Sequence, residues 1–193
     1  MPKPADKPKL FTVGHSNHSA DRFLSNLATR HVDVLVDVRS WPGSRFAQWA
    51  DRKSLPPLLR SIGCKYVYLG QELGGRPEGD EFYDAAGHVL YGRVAKSDDF
   101  RRGMQRLMRG LADHRVAIMC SEEDPTHCHR RLLVSKVMSE AGVEIAHIRG
   151  DGRCEVERTP IGPPETLFDS GESTWISSQS VLRGPQRRIS SAA

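Results

Sequence analysis

Val116-Ala117-Ile118-Met119-Cys120-Ser121-Glu122-Glu123-Asp124-Pro125-Thr126-His127-Cys128-His129-Arg130 decides how this chain is read. An apolar run, Val116 to Met119, leads into a segment (119–130) with two cysteines, two histidines, three acids and an arginine. A helical pattern follows from Arg131 to Ala141, with Leu132, Leu133 and Val137 on it, and stops at Gly142. Strand, loop and helix in that order put the loop at the carboxyl end of a strand. Open α/β sheets place their ligand sites at that edge. Packing alone does not explain reactive side chains concentrated there.

The same alternation extends outward. Leu10 to Val13 is a short apolar run that stops at Gly14-His15-Ser16. Ser19 suits the N-cap of a helix carrying Phe23, Leu24, Leu27 and Ala28 on one face. Val32 to Val38 is β-branched and almost wholly apolar, as a strand buried on both faces should be. Ser54 to Ile62 reads as a helix with Pro56 and Pro57 in its first turn and Gly63 as its stop. Lys65 to Leu69 reads as a strand, residues 71–77 as a loop, and residues 78–96 as an irregular insertion. Phe100, Met104, Leu107, Met108 and Leu111 recur at helical spacing, with Arg102, Arg106 and Arg109 along another side. Val143 to Ile148 is the fifth strand. The order predicts a single α/β domain: a mostly parallel, doubly wound sheet of about five strands with helices on both faces.

A chain of 193 residues is long enough for one such core. Residues 1–9 read as a flexible basic arm, 10–150 as the domain, and 151–193 as a Pro/Ser/Gly/Arg-rich extension. No apolar run approaches the ~18 residues of a membrane span, so no membrane partner is expected. No apolar h-region opens the chain, and the four cysteines do not resemble a disulfide framework. Reduced thiols in a cytoplasm are expected. A net charge of +4 and a pI near 9.0 permit an acidic partner without requiring one. Oligomeric state is not legible.

Four motifs carry a resemblance: Thr-Val-Gly-His-Ser (12–16), Val-Asp-Val-Arg-Ser-Trp-Pro-Gly-Ser (36–44), Leu-Gly-Gly-Arg-Pro (73–77) and 119–130. Together they are similar to the domain-of-unknown-function family 488 (DUF488) over about residues 10–150. The resemblance implies a compact α/β domain and supplies no reaction. The family's recurrent polar positions correspond to His15, Ser16, Asp37, Arg39, Ser44, Gly74, Gly75, Cys120, Glu122, Cys128, His129 and Arg130.

Three strand-end loops should meet at one edge. Cys120, Glu122, Asp37 and His15 are the candidate catalytic residues. Ser16, Arg39, Ser44, Gly74, Gly75, Cys128, His129 and Arg130 are the candidate ligand-binding residues. A cysteine at the end of a central strand is similar to the arrangement in rhodaneses and cysteine phosphatases. However, position 126 is Thr where a cysteine-x5-arginine loop needs Arg. The acids 122–124 should also repel an anion and raise the thiol pKa. Zinc is the expected metal if one binds, although cysteine-x7-cysteine-histidine is not a usual zinc spacing. His127 and His129 flank Cys128, so the three should not all point one way. Arg130 should pair with Asp37 or Glu122. Trp41, Phe46 and Trp49, with Arg39, Arg45 and Arg52 nearby, suit a nucleotide or nucleic acid. No G-x-G-x-x-G follows the first strand, so dinucleotide binding lacks its fingerprint.

The sequence therefore predicts a hydrolase or group transferase acting on a nucleotide, nucleic acid or other phosphate-bearing ligand. A non-catalytic nucleic-acid-binding module and a thiol- or metal-based sensor are the alternatives. The sensor requires Cys120 and Cys128 to be neighbours in space.

Overall fold

Apolar runs buried on both faces make the centre of the sheet. In the computed structural model, which describes residues 7–158 and 175–177, five strands pair in parallel. They are β1 (Lys9–Gly14), β2 (Val34–Asp37), β3 (Lys65–Tyr68), β4 (Val116–Cys120) and β5 (Glu144–Ile148). A sixth, β6 (Cys154–Val156), adds antiparallel to β5, and the order is β3-β2-β4-β1-β5-β6. Among the described residues the sheet thus has six strands where the sequence predicts about five. β6 is three residues long with one apolar core-forming side chain, so it has no readable period.

Among the described residues the α-helices are α1 (Ala20–Thr29), α2 (Leu55–Arg60), α3 (Gly70–Leu73), α4 (Tyr91–Lys96), α5 (Asp98–Asp113) and α6 (Lys136–Glu140). Ser19 and Ser97 cap α1 and α5 by accepting from the backbone N–H groups of Arg22 and Phe100. Part of the predicted 71–77 loop is the single turn α3. The predicted irregular stretch contains a 3-10 turn (Asp80–Phe82) and α4. The predicted 131–141 helix begins instead as a π-helical run, Arg130–Ser135, and only then becomes α6.

Successive strand residues point to opposite faces, and two cores result. Leu10, Val34, Val36, Val116, Ile118 and Ile145 pack with Leu73, Tyr91, Val94, Phe100, Leu107, Leu133 and Met138 from α3, α4, α5, the π-helical run and α6. Phe11, Val13, Leu35, Ala117, Met119 and Ala146 pack with Phe23, Leu27, Leu55 and Leu59 from α1 and α2. The connections after β1 and β2 step toward one edge of the sheet, while those after β3 and β4 step toward the other. Opposite directions on opposite faces keep one crossover hand throughout. The change of direction puts β4 between β2 and β1, the position where such sheets open a crevice.

Much of the predicted arm and extension lies outside the described residues. Within them, Lys9 already belongs to β1. Trp175–Ser177 returns to the domain: Trp175 accepts from the Tyr91 N–H, the Ser177 N–H donates to Val89, and the Trp175 indole donates to Leu132 O at 2.8 Å. Among the described residues no helix is long and apolar enough to cross a membrane.

Candidate functional site

Arg130 shapes the loop after β4 from beneath. Its guanidinium is buried and donates to the carbonyl oxygens of Glu122 and Glu123, the latter at 2.6 Å, and to Thr12 Oγ1 at 3.4 Å. Thr12 Oγ1 in turn meets His147 Nδ1 at 2.8 Å. Arg130 therefore pairs with neither Asp37 nor the Glu122 carboxylate, which corrects the pairing that the sequence predicts. The loop folds over it with carbonyls inward, and a fork of N–H donors satisfies several of them at once. Glu123 pins the loop sideways, accepting from Arg149 Nε and Nη2 at 3.0 and 2.9 Å and from the Gly150 N–H at 2.9 Å. β1 holds the near end through His15 N–H to Cys120 O (3.1 Å) and Ser16 N–H to Ser121 O (2.8 Å).

This brings two sulfurs to one ring. Cys120 Sγ and Cys128 Sγ lie 3.6 and 3.9 Å from His129 Nδ1, and the three atoms are all within 4.8 Å of one another. The three do not all point one way, as the sequence leads one to expect: Cys128 and His129 turn inward together, and His127 faces solvent. At the start of a helical run the backbone turns enough for adjacent side chains to converge. His129 Nε2 is 3.0 Å from Val38 O. A carbonyl only accepts, so Nε2 carries a proton and Nδ1 is left to face sulfur.

The electrostatics separate the two thiols. A hydrogen bond from Cys128 holds the Cys120 thiol well below its usual pKa. Burial opposes this, and His129 and Arg130 reinforce it. Burial and the neighbouring Cys120 push Cys128 well up. Burial alone would lower His129, but the Cys120 charge and hydrogen bond and the Val38 carbonyl outweigh it and raise the ring. The expectation that the acids raise the Cys120 pKa is thereby corrected. Glu123 is spent on Arg149, and Asp124 accepts from Thr126. Only Glu122 lines the opening.

Above Cys120 is a cleft lined by Arg39, Ser40, Trp41, Gly75, Arg76, Cys120, Ser121, Glu122 and His129, with a volume of about 150 Å³. Gly75 is there because a Cβ would sit 2.6 Å from His129 Cγ. At Gly74 a Cβ would meet Gly70 O at 2.3 Å and Ser40 Oγ at 2.4 Å. Behind the cleft, Asp37 takes Arg39 Nε and Nη2 at 2.9 and 2.7 Å and the Tyr66 hydroxyl at 2.7 Å. Arg39 also reaches Ala50 O at 2.7 Å and His15 Nε2 at 3.0 Å. His15 donates from Nδ1 to Ser16 O at 2.9 Å, so Nε2 accepts from Arg39. Burial, then Arg39, lowers the His15 pKa, which keeps the ring neutral.

Of the predicted residues, Cys120, Glu122, Arg39, Gly75 and His129 line the cleft, with Cys128 behind them. Asp37 and His15 form the buried network beneath. Ser16 sits at a left-handed φ of 44° beside it. Ser44 is set apart, binding Asp51 and Ala47. Sequence reasoning missed Ser40 and Ser121, whose signal was only adjacency to Arg39 and Cys120. It also missed Tyr91, whose buried hydroxyl has no hydrogen-bond partner among the described residues. Cys120, Cys128 and His129 offer the donor types that hold zinc.

The family model described as "Domain of unknown function DUF488" matches residues 19–137. The chain belongs to the DUF488 family. Among solved structures, two crystal structures of a candidate phosphatase (DUF442) from Shewanella putrefaciens CN-32 are similar to this DUF488 chain. One is 17% identical with a TM-score of 0.42, covering 68% of this chain and 69% of that one. The other is 16% identical with a TM-score of 0.42, covering 68% and 66%. No curated protein matches the chain.

Proposed function

We propose that this DUF488 protein is a hydrolase or group transferase that works by covalent catalysis, with Cys120 as nucleophile. One observation carries the reading: Cys120 lines the cleft, its Sγ 3.6 Å from a His129 ring whose other nitrogen is fixed on Val38 O. A thiolate beside an imidazolium is the reactive form of a cysteine. Cys120 attacks an electrophile in the cleft, an S–R bond forms, and the leaving group takes a proton from His129. Water, or an acceptor hydroxyl, then displaces the group from sulfur, with the Glu122 carboxylate accepting its proton. Asp37 and His15 act through Arg39, fixing the cleft's rear wall.

The substrate we assign is a nucleotide or another phosphate-bearing molecule. A cleft of about 150 Å³ encloses only the reacting group, well short of the roughly 300–1,000 Å³ that surround a larger ligand. The rest lies over the rim. There Arg76 sits 5.0 Å from the Trp41 ring centroid, and Trp41 is 56% exposed. An aromatic face with a guanidinium suits a base and its phosphate. We assign the protein to a reducing cytoplasm, where such a thiol stays reduced.

The test is the pH profile of Cys120 alkylation by iodoacetamide, alongside turnover of nucleotides and phosphomonoesters. Cys120 should alkylate rapidly well below the ordinary thiol range, and Cys120→Ser and Glu122→Gln should each abolish turnover with the fold retained. Full activity in both variants would overturn the reading. So would stoichiometric zinc that shields Cys120 from the reagent. Salt-sensitive nucleic-acid affinity that persists in Cys120→Ser, without turnover, would favour the binding module instead.

A further inference from the structure

We infer that Cys128 is a second working thiol: it captures the species a hydroperoxide forms on Cys120, closing the site as a Cys120–Cys128 disulfide. The inference rests on the reading of Cys120 as the nucleophile and adds a partner and a substrate class to it.

The geometry points to this pair alone. Both sulfurs face one nitrogen of His129, within 4.8 Å of one another. Cys128 is fully buried and does not line the cleft, so a substrate in the cleft meets Cys120 and not Cys128. The other cysteines are elsewhere. Cys64 packs in the opposite core, and Cys154 is on β6 at the sheet's edge. Burial pushes the Cys64 thiol up to about 11, which keeps it unreactive.

The Cys120 thiolate attacks the distal oxygen of a hydroperoxide, the O–O bond breaks, and the departing alkoxide takes the proton of His129. Cys120 is now a sulfenic acid. The Cys128 sulfur attacks it, an S–S bond forms, the S–O bond breaks, and hydroxide leaves as water with the Cys128 proton. The two sulfurs lose two electrons in all, and the hydroperoxide becomes an alcohol and water. A disulfide needs sulfurs about 2.05 Å apart. The remaining approach falls on residues 121–127, which hydrogen bonds hold and no covalent link does. A cleft of about 150 Å³ gives a small hydroperoxide room to reach Cys120.

The experiment uses the full chain, first reduced, then treated with one equivalent of hydrogen peroxide and analysed by peptide mass spectrometry. The expected product is a Cys120–Cys128 linked peptide, with Cys64 and Cys154 still thiols, full loss of Cys120 alkylation, and recovery with dithiothreitol. In Cys128→Ser the expected product is a dimedone-trapped sulfenic acid on Cys120 that goes on to sulfinic acid. Sulfenic or sulfinic acid on Cys120 in the wild-type chain, with Cys128 remaining a thiol, overturns the inference while leaving the nucleophile intact. Slow alkylation of Cys120 before any oxidant overturns both. Wild-type mapping decides the matter even if the variant fails to fold.

Discussion

Gly75 has no side chain, and the His129 ring uses the space. An alanine Cβ there would lie 2.6 Å from Cγ, so the ring must turn, losing either Val38 O or the sulfurs. Gly75→Ala should slow Cys120 alkylation near neutral pH by roughly 100-fold, the cost of about 1 Å of misplacement. It should cost about 1–3 kcal/mol of stability, the usual price of overpacking. Stopped alkylation kinetics and a urea melt check both, and an unchanged rate would refute the ring's role. Much of this site was legible, because a thiol, an imidazole and a carboxylate compressed into 119–130 carry their chemistry in their identity. Which groups they face was not. Arg39 and Arg130 read alike in sequence. Yet one is locked by Asp37, a carboxylate two residues away, and the other by loop carbonyls that only the folded loop turns inward.

The loop and the π-helical run act as one element, and Arg130 is their joint. Arg130→Met keeps the apolar stem but leaves the carbonyls of Glu122 and Glu123 without their buried donor. An unsatisfied buried acceptor costs about 1–3 kcal/mol, so the loss should be about 3–5 kcal/mol by urea denaturation. The loop carrying Cys120 should detach, and turnover should disappear with it. A loss under about 0.5 kcal/mol, typical of a surface change, would refute this. The parallel strands were readable because each is a short apolar run bounded by turn residues. The elements that escaped are those without a period. α3 is one turn, β6 pairs only at the edge, and the π register differs from an α-helix only in spanning one more residue per hydrogen bond. The arginine stripe of α5 is an exposed face with local partners. Arg102 pairs with Asp99, and Arg106 reaches Glu72 at 2.5 Å.

Two buried histidines make the whole molecule sensitive to acid. Burial, then Arg39, lowers the pKa of His15. Burial lowers that of His147 too, with Arg130 and Arg131 adding to it and Glu157 opposing. In the unfolded chain both return to 6.5. As pH falls below that value, the unfolded chain takes up protons that the folded one refuses. Stability therefore drops through the window between 6.5 and the lowered folded values. His129, raised when folded, contributes fully below 6.5 and loses its contribution as pH rises through its folded pKa, so it does not offset the acid loss. The two histidines also hold opposite ends of one loop. His15 contacts Arg39 beneath the cleft, and His147 holds Thr12, which meets Arg130. Acid should loosen the Cys120 loop before the sheet unfolds. Amide protection at residues 121–129, taken relative to the intrinsic exchange rate at each pH, should fall between about pH 7 and pH 5 ahead of any change in β4 or β1. His147→Gln, which cannot titrate, should flatten the dependence of stability on pH over that range. Equal exchange of loop and strands across the range would show that the histidines do not act through the loop.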